Sequence, residues 1–291
     1  MDEEIYNCVR IDEYRSICTV NSYIDLSFLR KYSNIKTLKL YGGYFNGLTN
    51  KPNKPYENFC KYISGNIKNL AIEIFESTIS PRYDFKDLPK TLEELEIING
   101  DFNEELDDLP NGLKKLVIQT WAFDKSLKNL PANLSVLKIL NYRFVNNPIL
   151  TQFNSDVNNL PIELKELDIE GEIFNKSLEY LPIGIKTVRI NSDAFNQPLN
   201  NLPHSIELLY IVSKNLSLEN CETLIVPIKC RILEIKVVSK NYENGKIVMD
   251  KICEKNKQLT YKLLPIYEGP VNMWSRKFIF TLELINFTKN I

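Results

Sequence analysis

The chain has 291 residues and is electrically balanced, with 36 basic against 37 acidic side chains. That balance gives no whole-chain field to attract nucleic acid or an anionic membrane, and 25% charged with 44% apolar residues excludes a disordered chain. The opening MDEEIYNCVR lacks the apolar run of a signal peptide, and no window approaches the roughly 18 apolar residues of a membrane-spanning helix.

Residues 1–34 hold apolar clusters (Ile5-Tyr6, Ile17-Cys18, Ile24 to Leu29) that fit no period and are expected to form an N-terminal cap. From residue 35 a signature apolar-x-x-apolar-x-apolar recurs. It starts at Ile35, Ile67, Leu92, Leu113, Leu134, Leu164, Ile185, Ile206 and Cys230, at intervals of 32, 25, 21, 21, 30, 21, 21 and 24 residues. About nine units with a basic period of 21 therefore fill residues 35–236. In each unit the last two apolar residues, such as Leu116 and Ile118, alternate with the other face, as in a half-buried strand. Strands so close in sequence stack in parallel, and the Leu-Pro step between them breaks any regular helix. One unit cannot fold alone: burying six apolar side chains gains at most ~15 kcal/mol, whereas ordering 21 residues costs ~20–30 kcal/mol. Stacking lets neighbours share a core.

Two insertions interrupt the period. The first, Gly47 to Tyr62, contains Lys51-Pro52-Asn53-Lys54-Pro55 and reads as an exposed loop. The second adds Asn141 to Ile149 at the strand end, a rim loop containing Tyr142, Arg143 and Phe144. Residues 237–291 form a C-terminal cap. Ile247 to Cys253 reads as a short helix, and Lys257 to Leu264 with Lys277 to Phe287 read as a β-hairpin joined by Pro265 to Trp274.

The full unit is sharper than its strand. Phe174-Asn175, Leu178, Leu181-Pro182 and Phe195-Asn196-Gln197-Pro198-Leu199, Leu202-Pro203 share one pattern, with Asn103, Asp124 and Asn154 in the same polar column. The strand half matches the leucine-rich consensus, but the consensus Asn is replaced by Gly100, Trp121, Tyr142, Glu172 and Asp193. The expected fold is a leucine-rich-repeat solenoid: mainly β, short parallel strands on a concave sheet, little regular helix on the convex side, and non-repeat caps at both ends. The pattern F-N-x-P-L-x-x-L-P resembles the FNIP repeat, a leucine-rich variant abundant in social amoebae and in large DNA viruses that infect them. The resemblance is specific from about residue 85 to 211. It implies an interaction module, sometimes joined to an F-box that docks a ubiquitin ligase; no F-box pattern is present.

The chain offers little for catalysis. Cys8, Cys18, Cys60, Cys221, Cys230 and Cys253 form no C-x-x-C pair and are expected as reduced thiols, with Cys230 a buried core residue. His204 is the only histidine and follows a Leu-Pro turn, in a column shared with Asn111, Ala132, Ile162 and Ile183, so it reads as a turn residue. No metal site, cofactor site or nucleophile motif is expected. The Asn/Asp column is expected to satisfy turn backbone groups. The concave face carries acidic Glu166, Asp168 and Glu170, then Arg189, then apolar Leu208, Tyr210 and Val212. Arg189 is expected to pair with Asp168, and the apolar set to anchor a partner unless the C-terminal cap covers it. No basic-aromatic stripe suits nucleic acid. The expected function is thus non-enzymatic binding of another protein through Glu166, Asp168, Glu170, Arg189, Leu208, Tyr210 and the rim residues Tyr142, Arg143 and Phe144, in the cytoplasm or a virion. A ubiquitin-ligase recognition arm and a structural part of a viral particle are the alternatives.

Overall fold

The computed structural model describes residues 9–11, 17–20, 32–42, 60, 63, 65–74, 83–142, 151–239, 242–266 and 277–284. The chain divides into two compact units, Met1–Thr151 and Gln152–Ile291. Each is a mainly β solenoid segment of parallel strands with little helix.

In the first unit, β1 (Val9–Ile11) runs antiparallel to β2 (Ile17–Val20). From β2 onward the pairing is parallel through β3 (Thr37–Gly42), β4 (Asn69–Ile74), β5 (Glu94–Asn99), β6 (Lys115–Gln119) and β7 (Val136–Leu140). In the second unit β8 (Glu166–Glu170), β9 (Thr187–Asn191), β10 (Leu208–Ser213) and β11 (Ile232–Ser239) are parallel. Two longer strands follow, β12 (Leu259–Ile266) and β13 (Lys277–Leu284), which pair antiparallel; β13 also pairs antiparallel with β11.

Every strand signature read from the sequence is a strand, β3 to β11. β2 extends the parallel ladder upstream of them: Cys18 pairs with Leu38, Val20 with Leu40, and Cys18 is fully buried. Its segment escaped the periodic reading because Arg15 stands where the signature has its first apolar residue.

Inward strand positions stack in register. Leu95, Leu116 and Leu137 form one row of the first unit; Leu167, Val188, Leu209 and Leu233 form one row of the second, all buried. Burial of each such side chain stabilises by roughly 1.5–3 kcal/mol. Phenylalanines fill the opposite side of the core. Phe102 stacks on Phe123 at 5.8 Å between ring centroids, and Phe153, Phe174 and Phe195 stack at 5.8 and 6.2 Å with planes within 7°.

From β5 to β11 a proline closes the turn that leads into the strand. The Pro110 carbonyl accepts the Leu113 N–H at 3.0 Å, and the same bond recurs from Pro131 to Leu134, Pro161 to Leu164, Pro182 to Ile185 and Pro203 to Ile206. Proline gives up no needed donor here, because only its carbonyl takes part. Gly112 sits at one such turn, where a Cβ would fall 2.9 Å from the Lys90 carbonyl oxygen of the preceding coil.

Two polar ladders satisfy the coils between strands. Asn154 Oδ1 accepts the Asn175 N–H at 2.9 Å, Asn175 Oδ1 the Asn196 N–H at 2.8 Å, and Asn196 Oδ1 the Ser217 N–H at 2.8 Å. Asn103 does the same for Asp124 at 3.1 Å. The second ladder is of buried hydroxyls: Thr120 donates to the Gly100 carbonyl at 2.6 Å, Ser192 to Phe174 at 2.8 Å and Ser213 to Phe195 at 2.7 Å. These hydroxyls lie one place before the missing consensus Asn and serve the carbonyls of the neighbouring coil.

The last coil of the second unit is closed by α1 (Leu218–Glu222) and α2 (Tyr242–Lys255) with the β12–β13 hairpin. Ser217 caps α1 by accepting the Asn220 N–H at 3.1 Å. Met249, Ile252, Phe280 and Leu282 are fully buried. Phe280 lies directly on α2, where a Cβ on Gly245 would meet its ring at 2.3 Å. Asn256, just after α2, accepts the Val226 N–H at 3.2 Å and donates to the Ile252 carbonyl at 3.0 Å and the Leu224 carbonyl at 3.4 Å. Cys230 departs from expectation. Its backbone keeps the turn bond to Pro227, but the side chain is only half-buried and its thiol donates to the Ile232 carbonyl at 3.3 Å. Among the described residues no helix is long and apolar enough to cross a membrane.

Candidate partner-binding surface

Alternation along β8 to β11 sends Leu167, Ile169 and their equivalents inward and leaves the intervening residues on the open face. The parallel register aligns those residues in three columns. Glu166, Thr187, Leu208 and Ile232 form the first; Asp168, Arg189, Tyr210 and Glu234 the second; Glu170, Asn191, Val212 and Lys236 the third. The structure thus brings six of the expected site residues, Glu166, Asp168, Glu170, Arg189, Leu208 and Tyr210, onto one face of one unit.

The charges pair differently from the expected register. Arg189 Nη1 lies 3.0 Å from Glu166 Oε1, a diagonal contact, rather than pairing in its own column with Asp168. A guanidinium on a three-carbon stem reaches the neighbouring column as easily as its own, so column alignment does not decide its partner. Glu170 accepts from Asn191 Nδ2 at 3.3 Å. Leu208, Tyr210 and Val212 stay half-exposed, and Ile232 is 58% exposed. The hairpin continues the sheet beside β11 and does not fold over them. Lys236 sits 5.9 Å from the centre of the Tyr210 ring and bonds Glu234 at 2.7 Å, which holds its ammonium above the usual lysine range against the opposing effect of burial.

The rim residues fare otherwise. Tyr142, in the first unit, is buried edge-on against Trp121, with 4.9 Å between ring centroids, so its ring packs in the coil and offers a partner no surface. Trp121 in turn lies over Gly100, where a Cβ would stand 2.1 Å from the indole. Arg143 and Phe144 lie outside the described residues, as does most of the Gly47 to Tyr62 insertion. The first unit's own sheet face has a shallow depression of about 210 Å3 floored by Ala71 and lined by Lys39, Glu94, Glu96 and Lys115. Its charges are mixed, and Lys115 bonds Glu94 at 3.4 Å.

Burial pushes the thiols of Cys18 and Cys230 up to about 11 and those of Cys60 and Cys221 to about 12, so none is a ready thiolate at neutral pH. His204 is exposed on its turn. Among the described residues no three His, Cys, Asp or Glu side chains gather as a metal site. One surface feature was missed by the periodic reading: an exposed apolar row directly after the turn prolines, with Ile162, Ile183 and Ile228 exposed by 60, 80 and 85%. Its signal was the column that holds Ile162, Ile183 and His204, which is polar or small at Asn111 and Ala132.

Comparison with family models, with curated proteins and with solved structures finds no match to this chain.

Proposed function

We propose that the chain is a non-enzymatic interaction module of the FNIP-type leucine-rich class, and that a partner protein docks on the open sheet face of the second unit. The observation that carries this reading is the graded face from β8 to β11. Three carboxylates on one strand give way within two strands to Leu208, Tyr210 and Val212, with Ile232 beyond them. A half-exposed apolar set beside a charged border suits a desolvated anchor with a polar rim, and Tyr is a favoured anchor. The acidic border, three carboxylates at alternate positions of one strand, suits a partner with basic groups. A parallel-stranded solenoid also provides a rigid platform whose face residues carry no folding duty, so they are free to specify a partner.

The test is capture of partners from cell extract by three folded proteins: wild type, Glu166→Lys/Glu170→Lys, and Tyr210→Ala. A protein retrieved by the wild type should fall about tenfold or more in recovery with each variant, as expected of a lost hot spot worth ~1.4–2 kcal/mol. Their melting temperatures should stay near wild type, since exposed pairs contribute below ~1 kcal/mol. Equal recovery by all three proteins sinks the assignment of this face.

A further inference from the structure

Each coil of the second unit enters its strand through a turn closed by a proline carbonyl, and the two residues after the proline form the apex. The apex pairs are Ile162-Glu163, Ile183-Gly184, His204-Ser205 and Ile228-Lys229. The corresponding pairs of the first unit, Lys90-Thr91, Asn111-Gly112 and Ala132-Asn133, contain no large apolar residue. Parallel register sets the apexes at about 4.8 Å steps, so the second unit's four lie in a straight row about 14 Å long. Tyr180 and Ile225, 62 and 56% exposed, flank the row. Turn apexes favour Pro, Gly, Asn, Asp and Ser, and an isoleucine there serves neither the turn nor the core.

We propose that this row is a self-association surface, on which a second copy of the chain docks antiparallel about a two-fold axis. The charge pattern selects that arrangement. The second apex position reads Glu163, Gly184, Ser205, Lys229 along the row. Laid antiparallel, Ile162 meets Ile228 of the second copy at both ends, Glu163 faces the second copy's Lys229, and small Gly184 faces small Ser205 at the centre. Laid parallel, Glu163 faces Glu163 and Lys229 faces Lys229, which repels. One column inward, Lys186 and Glu207 are bonded within the chain, and the antiparallel arrangement sets Lys186 opposite Glu207 again. The one like-charged meeting, Lys165 with Arg231, falls at the solvent ends; Lys165 lies 3.9 Å from Glu163 of its own chain, and salt screens the rest. A closed two-fold uses the row up and leaves nothing to polymerise. So short a row buries less than the roughly 1,200 Å2 at the low end of stable interfaces, so the dimer is weak and reversible, with Kd about 10–100 µM.

Sedimentation equilibrium of the full chain from roughly 5 to 300 µM spans that Kd. The weight-average mass should climb from 33.9 kDa toward twice that value. Ile228→Asp, at an 85% exposed site that leaves the core untouched, should hold the monomer mass throughout with an unchanged melting temperature. Glu163→Lys and Lys229→Glu should each weaken association about tenfold, and the two together should restore it. A monomer at every concentration overturns the proposal, as does a dimer indifferent to Ile228→Asp. Failure of the double reversal to restore association overturns the antiparallel arrangement. A monomeric wild type that cosediments with phosphatidylcholine–phosphatidylserine vesicles overturns it in favour of a lipid surface.

Discussion

Within the second unit, the coils carrying β8 to β10 and the closing elements α1, α2 and the β12–β13 hairpin meet the same demand by opposite means. Both must bury apolar side chains and satisfy the backbone they take out of water. The coils do it by repetition: Phe153, Phe174 and Phe195 stack in a file, and Asn154, Asn175 and Asn196 pass one hydrogen-bond pattern from coil to coil. The closing elements do it by contacts that occur once, such as Phe280 against Gly245 and the three bonds of Asn256. In the coils each contact has a neighbour above and below, so damage is felt by adjacent coils. In the cap damage is confined to the elements that share the contact.

The largest effect expected lies in the coils. Leu167→Asp puts a charge in a fully buried row beside Val188, and stability should fall by about 4 kcal/mol or more. Chemical denaturation measures it; an unchanged midpoint shows the strand facing the other way. In the cap, Asn256→Ala orphans the Val226 N–H and takes the side-chain donor from the Leu224 carbonyl, while the Ile252 carbonyl keeps the backbone N–H of residue 256, at about 1–3 kcal/mol. Amide exchange should quicken at Val226 while Asn196 stays protected; exchange that quickens equally in both places erases the contrast between coils and cap. Gly245→Ala sharpens it further. On an exposed helix this change stabilises by about 1 kcal/mol, but here the new methyl enters the Phe280 ring and should destabilise by about 1–3 kcal/mol. Adding Phe280→Leu should recover part of the loss, and a stabilised single variant contradicts the packing. The smallest of the four is Asn175→Leu, which removes the acceptor for the Asn196 N–H and for Gln197 Nε2. About 1–2 kcal/mol should be lost, with faster exchange at Asn196 in the following coil.

What could be read from sequence followed the same division. Repetition makes a pattern visible, so the strands, their facing residues and the Asn column were legible as a 21-residue period. The hydroxyl ladder of Thr120, Ser192 and Ser213 is equally periodic, yet it sits one place before the position where a consensus Asn draws attention. β2 was lost because Cys18 and Val20 lack the first apolar residue of the signature, whose place is held by Arg15. Single contacts leave no period: nothing in the sequence announces that Gly245 exists to admit Phe280, or that Asn256 serves three backbone groups. On the sheet face the columns were legible, but rotamer choice within them was not, which is why Arg189 reached Glu166. Tyr142 looked like the start of a rim loop because an insertion follows it, whereas Trp121 one coil earlier buries it.

The Asn row also has an end group. In the column of Asn154, Asn175 and Asn196 the following residue is Ser217, which donates its N–H to Asn196 as the others do. Its side chain does not reach onward; its hydroxyl turns back to the Asn220 N–H at the head of α1, while Asn220 Nδ2 occupies Asn196 Oδ1 at 2.9 Å. In polymer terms the chain is end-capped. A duplicated coil spliced upstream, between two Asn-bearing turns, finds a donor on one side and an acceptor on the other. The same coil appended after Ser217 finds neither. Growth of this protein by gene duplication is therefore directed to the interior of the array, and an engineer lengthening it should cut there.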